Sequence, residues 1–342
     1  MKLGLQLGYW GAQPNPFHVM LTQEAEKLGY DSVWTAEAWG SDAFSPAVWL
    51  GAHTERIRLC TGIVQISART PASCAMHALT ADHLTSGRFS LGLGVSGPQV
   101  VEGWYGQPFG KPLARTREYI EIVRRILARQ EPVEFQGEHF QMPYTGPGSW
   151  GLGKPLKSIT HPLRADIPIL LGAEGPKNIE LAAEVADGWL PLYYSPFRQE
   201  VYADSLKAAA SKPNFEVAVN VMGCRITAGN NEAEIEEAML PTKAALAFYI
   251  GGMGAKSRNF HMELMSRMGF EAEAHKIQDL FFEGRRDEAI PLVPTQFVDE
   301  ISLVGPKERI KERLAAWEDS PITTIIVNGD LDTLREMAEL TL

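Results

Sequence analysis

A glycine-rich segment offers the clearest chemical signal in this chain. Residues 88–97 read RFSLGLGVSG, an apolar run followed by glycines at the spacing G-x-G-x-x-G. Because glycine has no Cβ, such a backbone can closely approach a phosphate or a flat ring. The string matches the dinucleotide fingerprint, which requires a helix directly after the glycines. Here Pro98 and further glycines and prolines follow, and the pattern predicts the next helix only near Ala114. We therefore expect another kind of cofactor loop, with tight packing at a strand end as the alternative.

Two further segments could carry chemistry. Glu37 stands in the segment AEAWG after a predicted strand, close in sequence to Trp34, Trp39 and Phe44. Apolar surroundings keep a carboxyl group protonated, so Glu37 is a candidate proton donor; the alternative is a carboxylate that only contacts a loop or a cofactor. Residues 172–178, GAEGPKN, precede a predicted helix, whose free N–H groups and positive end suit a phosphate.

The elements that must position these residues alternate between strand and helix. This rhythm predicts a (β/α)8 TIM barrel, in which the loops at the C-terminal ends of the strands form the functional face. We expect one domain over residues 1–342, with a hairpin-like insert after strand four (about 132–165) and a helical insertion before the last strand (about 232–300). The first helix is predicted to begin at Pro16, with Asn15 as its cap. The strands are predicted at 2–7, 32–35, 57–61, 88–93, 167–171, 188–190, 216–224 and 323–327.

Composition narrows the classes of function. The chain has 342 residues and a formal net charge of −10, which argues against a nucleic acid or an anionic membrane as partner. No apolar run approaches the ~18 residues of a membrane-spanning helix. No signal peptide is predicted, so a cytoplasmic location is expected. The three cysteines are Cys60, Cys74 and Cys224; they have no metal-ligand spacing, so we expect reduced thiols and no metal site.

Several segments, in their order and spacing, resemble a known family along nearly the whole chain. They are LGLQLGYWG, GYDSVWTAEAWG, RLCTGI, LTSGRFSLGLGVSGPQVVEGWYG, LGAEGPKNIELAAEVADGWLP and VDEISLVGPKERIKERLAAW. The chain resembles the bacterial luciferase-like superfamily of flavin and deazaflavin enzymes, and more closely its branch of coenzyme F420-dependent oxidoreductases. This resemblance implies hydride transfer between F420 and a small organic substrate, and a homodimer.

The resemblance also implies the positions of the site residues. A non-proline cis peptide bond at Gly62–Ile63 would form a bulge behind the cofactor ring, and Glu37 would lie near the ring as the candidate catalytic acid. The segment that begins at Gly172 would hold the cofactor phosphate. The implied cofactor-binding residues are Ala36, Glu37, Thr61, Gly62, Ile63, Gly94, Val95, Ser96, Gly97, Gly172, Ala173, Glu174, Gly175, Pro176, Lys177 and Asn178.

This chain departs from the sugar-phosphate dehydrogenases of the family at two places. Those enzymes have an Asp-His pair after strand two, where this chain has Glu37-Ala38. They also have a glutamate directly after the last loop glycine, where this chain has Pro98. Two proton-transfer groups are therefore missing, which argues against glucose-6-phosphate dehydrogenase activity. Glu102 is a candidate substitute for the second, although a surface acid is the simpler interpretation.

Two other functions stay open. One is an FMN-dependent monooxygenase that uses reduced flavin and oxygen; the other is a non-catalytic barrel that binds a cofactor or a partner. Basic side chains near the strand-five and later loops, Lys177 and Arg198, favour F420 because its tail is acidic. His261, in the helical insertion, is a candidate for part of a lid over the pocket. No motif identifies the substrate.

Overall fold

Strands and helices alternate from the first residues. The computed structural model describes residues 1–342. Its first part contains, in order, β1 (Lys2–Gly8), α1 (His18–Leu28), β2 (Ser32–Thr35), α2 (Phe44–Gly51), β3 (Arg58–Thr61), β4 (Val64–Gln65), α3 (Pro71–Leu84), β5 (Phe89–Gly94), α4 (Pro98–Gly103) and α5 (Pro112–Ala128).

The second part contains both insertions. It begins with the antiparallel hairpin that the sequence predicted and ends with the last barrel strand and its helix. Its elements are β6 (Phe135–Gln136), β7 (Gln141–Met142), β8 (Ile169–Gly172), α6 (Pro176–Val185), β9 (Gly188–Leu190), α7 (Glu200–Ala203), β10 (Glu216–Asn220), β11 (Cys224–Ile226), α8 (Glu232–Gly252), α9 (Phe260–Met265), α10 (Glu271–Phe282), α11 (Arg286–Ala289), α12 (Thr295–Ile301), β12 (Leu303–Gly305), α13 (Lys307–Glu318), β13 (Thr324–Val327) and α14 (Leu331–Thr341). Short 3-10 segments span Lys207–Ser211 and Ile290–Leu292, and a π-helical segment spans Ser266–Phe270.

Eight parallel strands close into a barrel. Numbered as barrel strands one to eight, they are β1, β2, β3, β5, β8, β9, β10 and β13. Pairing runs around the ring from β1 through β13 to β8 and β5, and the pairing of β3 with β5 closes it. This confirms the predicted (β/α)8 fold. It also means that barrel strands one and five lie on opposite sides of the barrel.

Two hydrophobic clusters stabilise the barrel. A small one joins five residues from five different barrel strands: Trp34, Cys60, Leu170, Ala218 and Ile326. It fills the interior, as inward-facing side chains do in this fold. A cluster of 73 buried residues, separate from it, packs the strands against the surrounding helices. Helix α5 contributes its predicted apolar face to this larger cluster.

Three local predictions are wrong. A helix does follow the glycines, because α4 begins at Pro98, and proline costs no hydrogen bond at the first position of a helix. Helix α1 begins at His18 rather than Pro16, and the Asn15 side chain accepts a hydrogen bond from the Phe17 N–H outside the helix. The strand predicted over 216–224 ends at Asn220. Its last predicted residue, Cys224, begins β11, which pairs in parallel with β12 outside the barrel.

The three cysteines are buried. Burial raises the pKa of Cys60 to about 12 and that of Cys74 to about 11, and all three thiols are buried and free. Buried thiols of this kind are unreactive, since the thiolate is the nucleophile.

No helix in the structure combines the length and the apolar character needed to cross a membrane.

Gly92 provides a test of the barrel closure. A Cβ added there would lie 1.9 Å from the Thr61 carbonyl oxygen. The Thr61 hydroxyl also donates to the Gly92 carbonyl and accepts from the Gly92 N–H. We expect Gly92→Ala to lower the free energy of unfolding by about 3 kcal/mol, the upper end of the cost of overpacking. Urea denaturation measures this value. Gly103→Ala is the control, because nothing lies within 4 Å of its added Cβ; equal stability of the two variants would contradict the expectation.

Candidate active site

The predicted site residues lie at the ends of barrel strands two to five, on one face of the barrel. The C-terminal ends of parallel barrel strands meet at the same mouth, so residues distant in sequence come together there. The ends of barrel strands one, six and seven add Tyr9, Tyr193 and Asn220 to this mouth.

An isoleucine bulge shapes one side of the mouth. The peptide bond Gly62–Ile63 is cis, as the family resemblance implied. A Cβ at Gly94 would lie 2.8 Å from Ile63 Cδ1, and one at Gly172 would lie 3.1 Å from Ile63 Cγ2. These two glycines therefore make room for the Ile63 side chain. The Gly62 N–H donates to the Thr35 carbonyl at 2.7 Å.

This packing sharpens the prediction for the glycine loop. Gly94 lies inside β5, and the space beside its Cα is occupied by Ile63 rather than left open to a ligand. Beyond the strand, Ser96 has a positive φ of 59°. Gly97 has only the Gln99 side-chain oxygen near the position of an added Cβ, at 3.1 Å. The bare backbone nearest the mouth is thus that of residues 95–97.

Glu37 is held by an arginine. Its carboxylate lies 2.8 Å from the Arg69 guanidinium and accepts a hydrogen bond of 3.3 Å from the Gln65 N–H. The Glu37 N–H donates to the Ile63 carbonyl at 3.1 Å, so the acid is fixed directly beside the bulge. Both members of the pair are largely buried, with side-chain exposures of 15% for Arg69 and 3% for Glu37.

The surroundings expected for Glu37 are not those found. Of the three aromatic residues close to it in sequence, Trp39 is exposed, and Phe44 stacks under the Arg69 guanidinium at 5.3 Å from its ring centre. The carboxylate therefore meets a cation and not an apolar wall. A carboxylate bound in this way accepts hydrogen bonds, which favours the contact role over the proton-donor role.

The strand-five end has the form of an anion site. Gly175 is the N-cap of the ten-residue helix α6, which has no side-chain cap. The Gly175 carbonyl accepts from the N–H groups of Asn178 and Ile179, whereas the helix start keeps uncapped donors directed outward. Lys177 is exposed in the first turn, and a Cβ at Gly175 would meet only the Asn178 side chain, at 3.8 Å. The residues present fit a phosphate here.

A row of four side chains crosses the mouth, from barrel strand five to barrel strand one. Glu174 Oε2 lies 3.0 Å from His261 Nδ1. The His261 ring packs edge-on against the Tyr249 ring with centroids 5.1 Å apart. The Tyr249 hydroxyl lies 3.3 Å from the Tyr9 hydroxyl. We call Glu174, His261, Tyr249 and Tyr9 the polar row.

Two phenols of this region stay protonated. Burial, and then the charge of Glu174, raises the pKa of Tyr193 well above that of free tyrosine. Burial and the hydrogen bond to Tyr9 raise the pKa of Tyr249. The Tyr193 hydroxyl is fully buried without a hydrogen-bond partner, and its ring lies 5.8 Å from that of His261. The mouth thus offers neutral hydroxyl donors rather than phenolates.

Asn259 places His261 in the polar row. Its side-chain oxygen accepts from the N–H groups of His261 and Met262 at 3.0 and 3.1 Å, which caps α9. Its side-chain nitrogen donates to the carbonyls of Tyr249 and Ile250 at the end of α8. One buried amide therefore fixes the two insertion helices relative to each other, and His261 of the insertion contacts Glu174 at the end of barrel strand five.

Two predicted candidates lie elsewhere. Arg198, expected to help bind an acidic tail, forms an ion pair with Glu300 at 2.6 Å and stacks on Phe270. Its charge is therefore balanced by Glu300. Glu102 is exposed on α4 and accepts a hydrogen bond from the Phe109 N–H. It is a surface acid, as the simpler interpretation held.

Sequence reasoning missed Tyr9, Tyr249 and Asn259, and three further residues of the site. Arg69 follows strand three directly before the cap Thr70 and Pro71, and a basic residue there was the available signal. Tyr193 has a positive φ of 54°, which no pattern in the sequence indicates. Arg267, in the π-helical segment, donates a hydrogen bond of 2.8 Å to the Glu174 carbonyl.

Comparisons with known proteins identify the family of this chain. The family model of the luciferase-like monooxygenases matches residues 8–324. A protein of Mycobacterium tuberculosis, provisionally named a coenzyme F420-dependent oxidoreductase, is 51% identical over 99% of this chain and 99% of its own. The chain belongs to the luciferase-like family.

Two solved structures share the fold. The coenzyme F420-dependent tetrahydromethanopterin reductase of Methanopyrus kandleri has a TM-score of 0.77 at 20% identity, covering 99% of this chain and 97% of its own. An F420-dependent secondary alcohol dehydrogenase, in complex with an F420-acetone adduct, has a TM-score of 0.73 at 17% identity with the same coverage. At these identities the likeness concerns the fold alone.

The Arg69–Glu37 pair can be tested by removing its cation. Arg69→Gln leaves a buried carboxylate without its partner, so we expect the free energy of unfolding to fall by about 3 kcal/mol. The double variant Glu37→Gln/Arg69→Gln, with two neutral amides, should recover part of this loss. Urea denaturation measures all three proteins. Arg285→Gln breaks an exposed pair with Glu288 and should change nothing measurable; an Arg69→Gln variant as stable as this control would exclude a strong pair.

Proposed function

We propose that this protein is an F420-dependent oxidoreductase that transfers a hydride between the deazaflavin coenzyme and a small organic substrate. The observation that carries the proposal is the Ile63 bulge, seated on Gly94 and Gly172 and flanked by bare backbone at residues 95–97. This is a surface against which a flat ring can lie. When bound, the deazaflavin supplies a carbon that accepts or gives up a hydride.

The residues of this chain have separate tasks in that proposal. Ala36, Thr61, Gly62 and Ile63 form the wall behind the ring, and the segment from Val95 to Gly97 runs alongside it. The first turn of α6, with Gly175, Pro176, Lys177 and Asn178, holds the phosphate of the cofactor. Helices α8 and α9 cover the mouth and reduce the access of water to the reacting atoms.

Glu37 is proposed as a contact to the cofactor rather than as the proton donor. Its carboxylate is bound to Arg69 and its N–H to the Ile63 carbonyl, so it is rigidly placed at the edge of the bulge. From there it can accept a hydrogen bond from a ring N–H or orient Arg69 towards a ring oxygen.

One observation favours F420 over FMN. The relative with 51% identity carries an F420-dependent name, whereas a monooxygenase with the same fold is only 20% identical. Lys177 is exposed and forms no ion pair, so it is free for the phosphate of either cofactor. The non-catalytic alternative leaves the fixed acid beside the bulge and the polar row without a role. A homodimer in the cytoplasm stays a prediction.

Binding is the decisive test of the cofactor. We expect purified protein to saturate with F420 in a fluorescence titration and to show no comparable binding of FMN. Lys177→Gln should weaken F420 binding about tenfold, the weight of one charge-assisted hydrogen bond. Lys207→Gln removes an exposed lysine that is paired with Asp204 and should bind F420 like the wild type. Tight FMN binding without F420 binding would replace the proposal with the monooxygenase.

Glu37→Gln separates the two roles of the acid. If Glu37 is a contact, the variant should bind F420 about tenfold more weakly and keep its turnover at saturating F420 within tenfold of the wild type. A general acid would show the reverse pattern, with turnover reduced ~10²-fold or more at unchanged affinity. Steady-state kinetics with varied F420 distinguish the two results.

A further inference from the structure

No residue of the site described so far is assigned to proton transfer. Glu37 is bound to Arg69, and Glu102 is a surface acid. Hydride transfer to or from an oxygen-bearing carbon nevertheless requires that a proton move as well.

We infer that His261 is the proton-transfer residue of this enzyme, that Glu174 positions it, and that the substrate is a small uncharged molecule bearing a hydroxyl or carbonyl group. This inference rests on the proposed function and assigns the polar row to it.

The His261–Glu174 contact brings an imidazole and a carboxylate together. Nδ1 lies 3.0 Å from Glu174 Oε2, and a carboxylate at this distance favours the tautomer with hydrogen on Nδ1. Both atoms are buried, and neither forms a hydrogen bond with any other group of the chain. The second ring nitrogen, Nε2, forms no hydrogen bond within the chain and is left for a substrate. The ring itself is fixed between Tyr193 and Tyr249.

Position in the barrel supports the assignment. The polar row starts at barrel strand five and ends at barrel strand one, so it connects opposite sides of the barrel. The Ile63 bulge and the backbone of residues 95–97 lie on one side of this line, at barrel strands three and four. A substrate held between that surface and the polar row would have its reacting carbon near the ring and its oxygen near His261 and the phenols.

Charge defines the class of substrate. The groups that face His261 from neighbouring elements are Glu174, Tyr193, Tyr249 and, through the Glu174 carbonyl, Arg267. Of the other cations, Arg198 is paired with Glu300, and Lys177 lies in the first turn of α6, where the cofactor phosphate is proposed to bind. With Lys177 assigned to the cofactor, a carboxylate and two neutral phenols face the substrate, and they hydrogen-bond to an alcohol or a ketone better than to a phosphate ester.

The step is balanced without a further reactant. In the oxidative direction the carbinol carbon gives its hydrogen with two electrons to the cofactor, and the hydroxyl proton passes to His261 Nε2. The C–O single bond becomes a carbonyl, and the imidazolium later releases its proton to water. Reduction of a ketone runs the same transfers backwards. Glu174 keeps its charge throughout and only holds the ring.

Kinetics provide the first test. The probes are cyclohexanol with oxidised F420 and cyclohexanone or cyclohex-2-enone with reduced F420, with glucose 6-phosphate as the anionic counter-probe. His261→Gln should lower kcat ~10²-fold or more and change its pH profile, with F420 affinity within twofold of the wild type. Glu174→Gln should cause a smaller loss of kcat. His275→Gln is the matched control, since His275 is an exposed histidine of the same insertion that also lies near a glutamate.

A spectroscopic test needs neither cofactor nor substrate. In protein labelled with 15N at histidine, His261 should show hydrogen on Nδ1 and a bare Nε2, its signal assigned by its loss in His261→Gln. Glu174→Gln should shift this signal and leave that of His275 unchanged. Hydrogen found only on Nε2 would overturn the assignment.

The outcomes separate the two proposals. Absence of F420 binding overturns the proposed function. F420 binding with a His261→Gln variant that keeps wild-type kcat and pH profile overturns the role of His261. Turnover of glucose 6-phosphate alone, or of none of the probes, overturns the substrate class.

Discussion

Ile63 is the contact on which the geometry of the barrel mouth depends. Its side chain occupies the space above Gly94 and Gly172, and its carbonyl accepts the N–H of Glu37. The ends of barrel strands two, three, four and five are thereby locked around one residue. Below it, the Thr61 hydroxyl bonds both polar backbone groups of Gly92, which ties barrel strand three to strand four where the barrel closes.

The mouth consequently has two unlike sides. Barrel strands two to four present backbone, a packed isoleucine and one fixed ion pair. Across the mouth, the polar row and Tyr193 present hydroxyl, imidazole and carboxylate groups. A flat cofactor suits the first side, where close approach matters more than specific hydrogen bonds. An oxygen-bearing substrate suits the second, where the polar groups are neutral donors or a single acid–base pair.

The barrel and the strand-end candidates could be predicted from the sequence because both follow from local patterns. Alternating strands and helices with short connections specify the architecture, and glycines after an apolar run mark a strand end. The cis bond at Gly62–Ile63 came from family resemblance, since nothing local in RLCTGI indicates it. Arg69 and the contacts within the polar row could not be predicted in this way. These contacts join residues 12 to 240 positions apart, and side-chain pairs at such separations leave no periodic trace.

The origin of the polar row has a consequence for how this enzyme could change. Its two ends, Glu174 and Tyr9, belong to barrel loops, whereas His261 and Tyr249 are carried by the insertion and joined through Asn259. The Ile63 bulge contacts Glu37, Gly94 and Gly172, and none of these residues belongs to the insertion. A change in the α8–α9 segment would therefore alter the His261 side of the mouth and leave the Ile63 bulge as it is. The two sides of the mouth thus depend on separate segments of the chain.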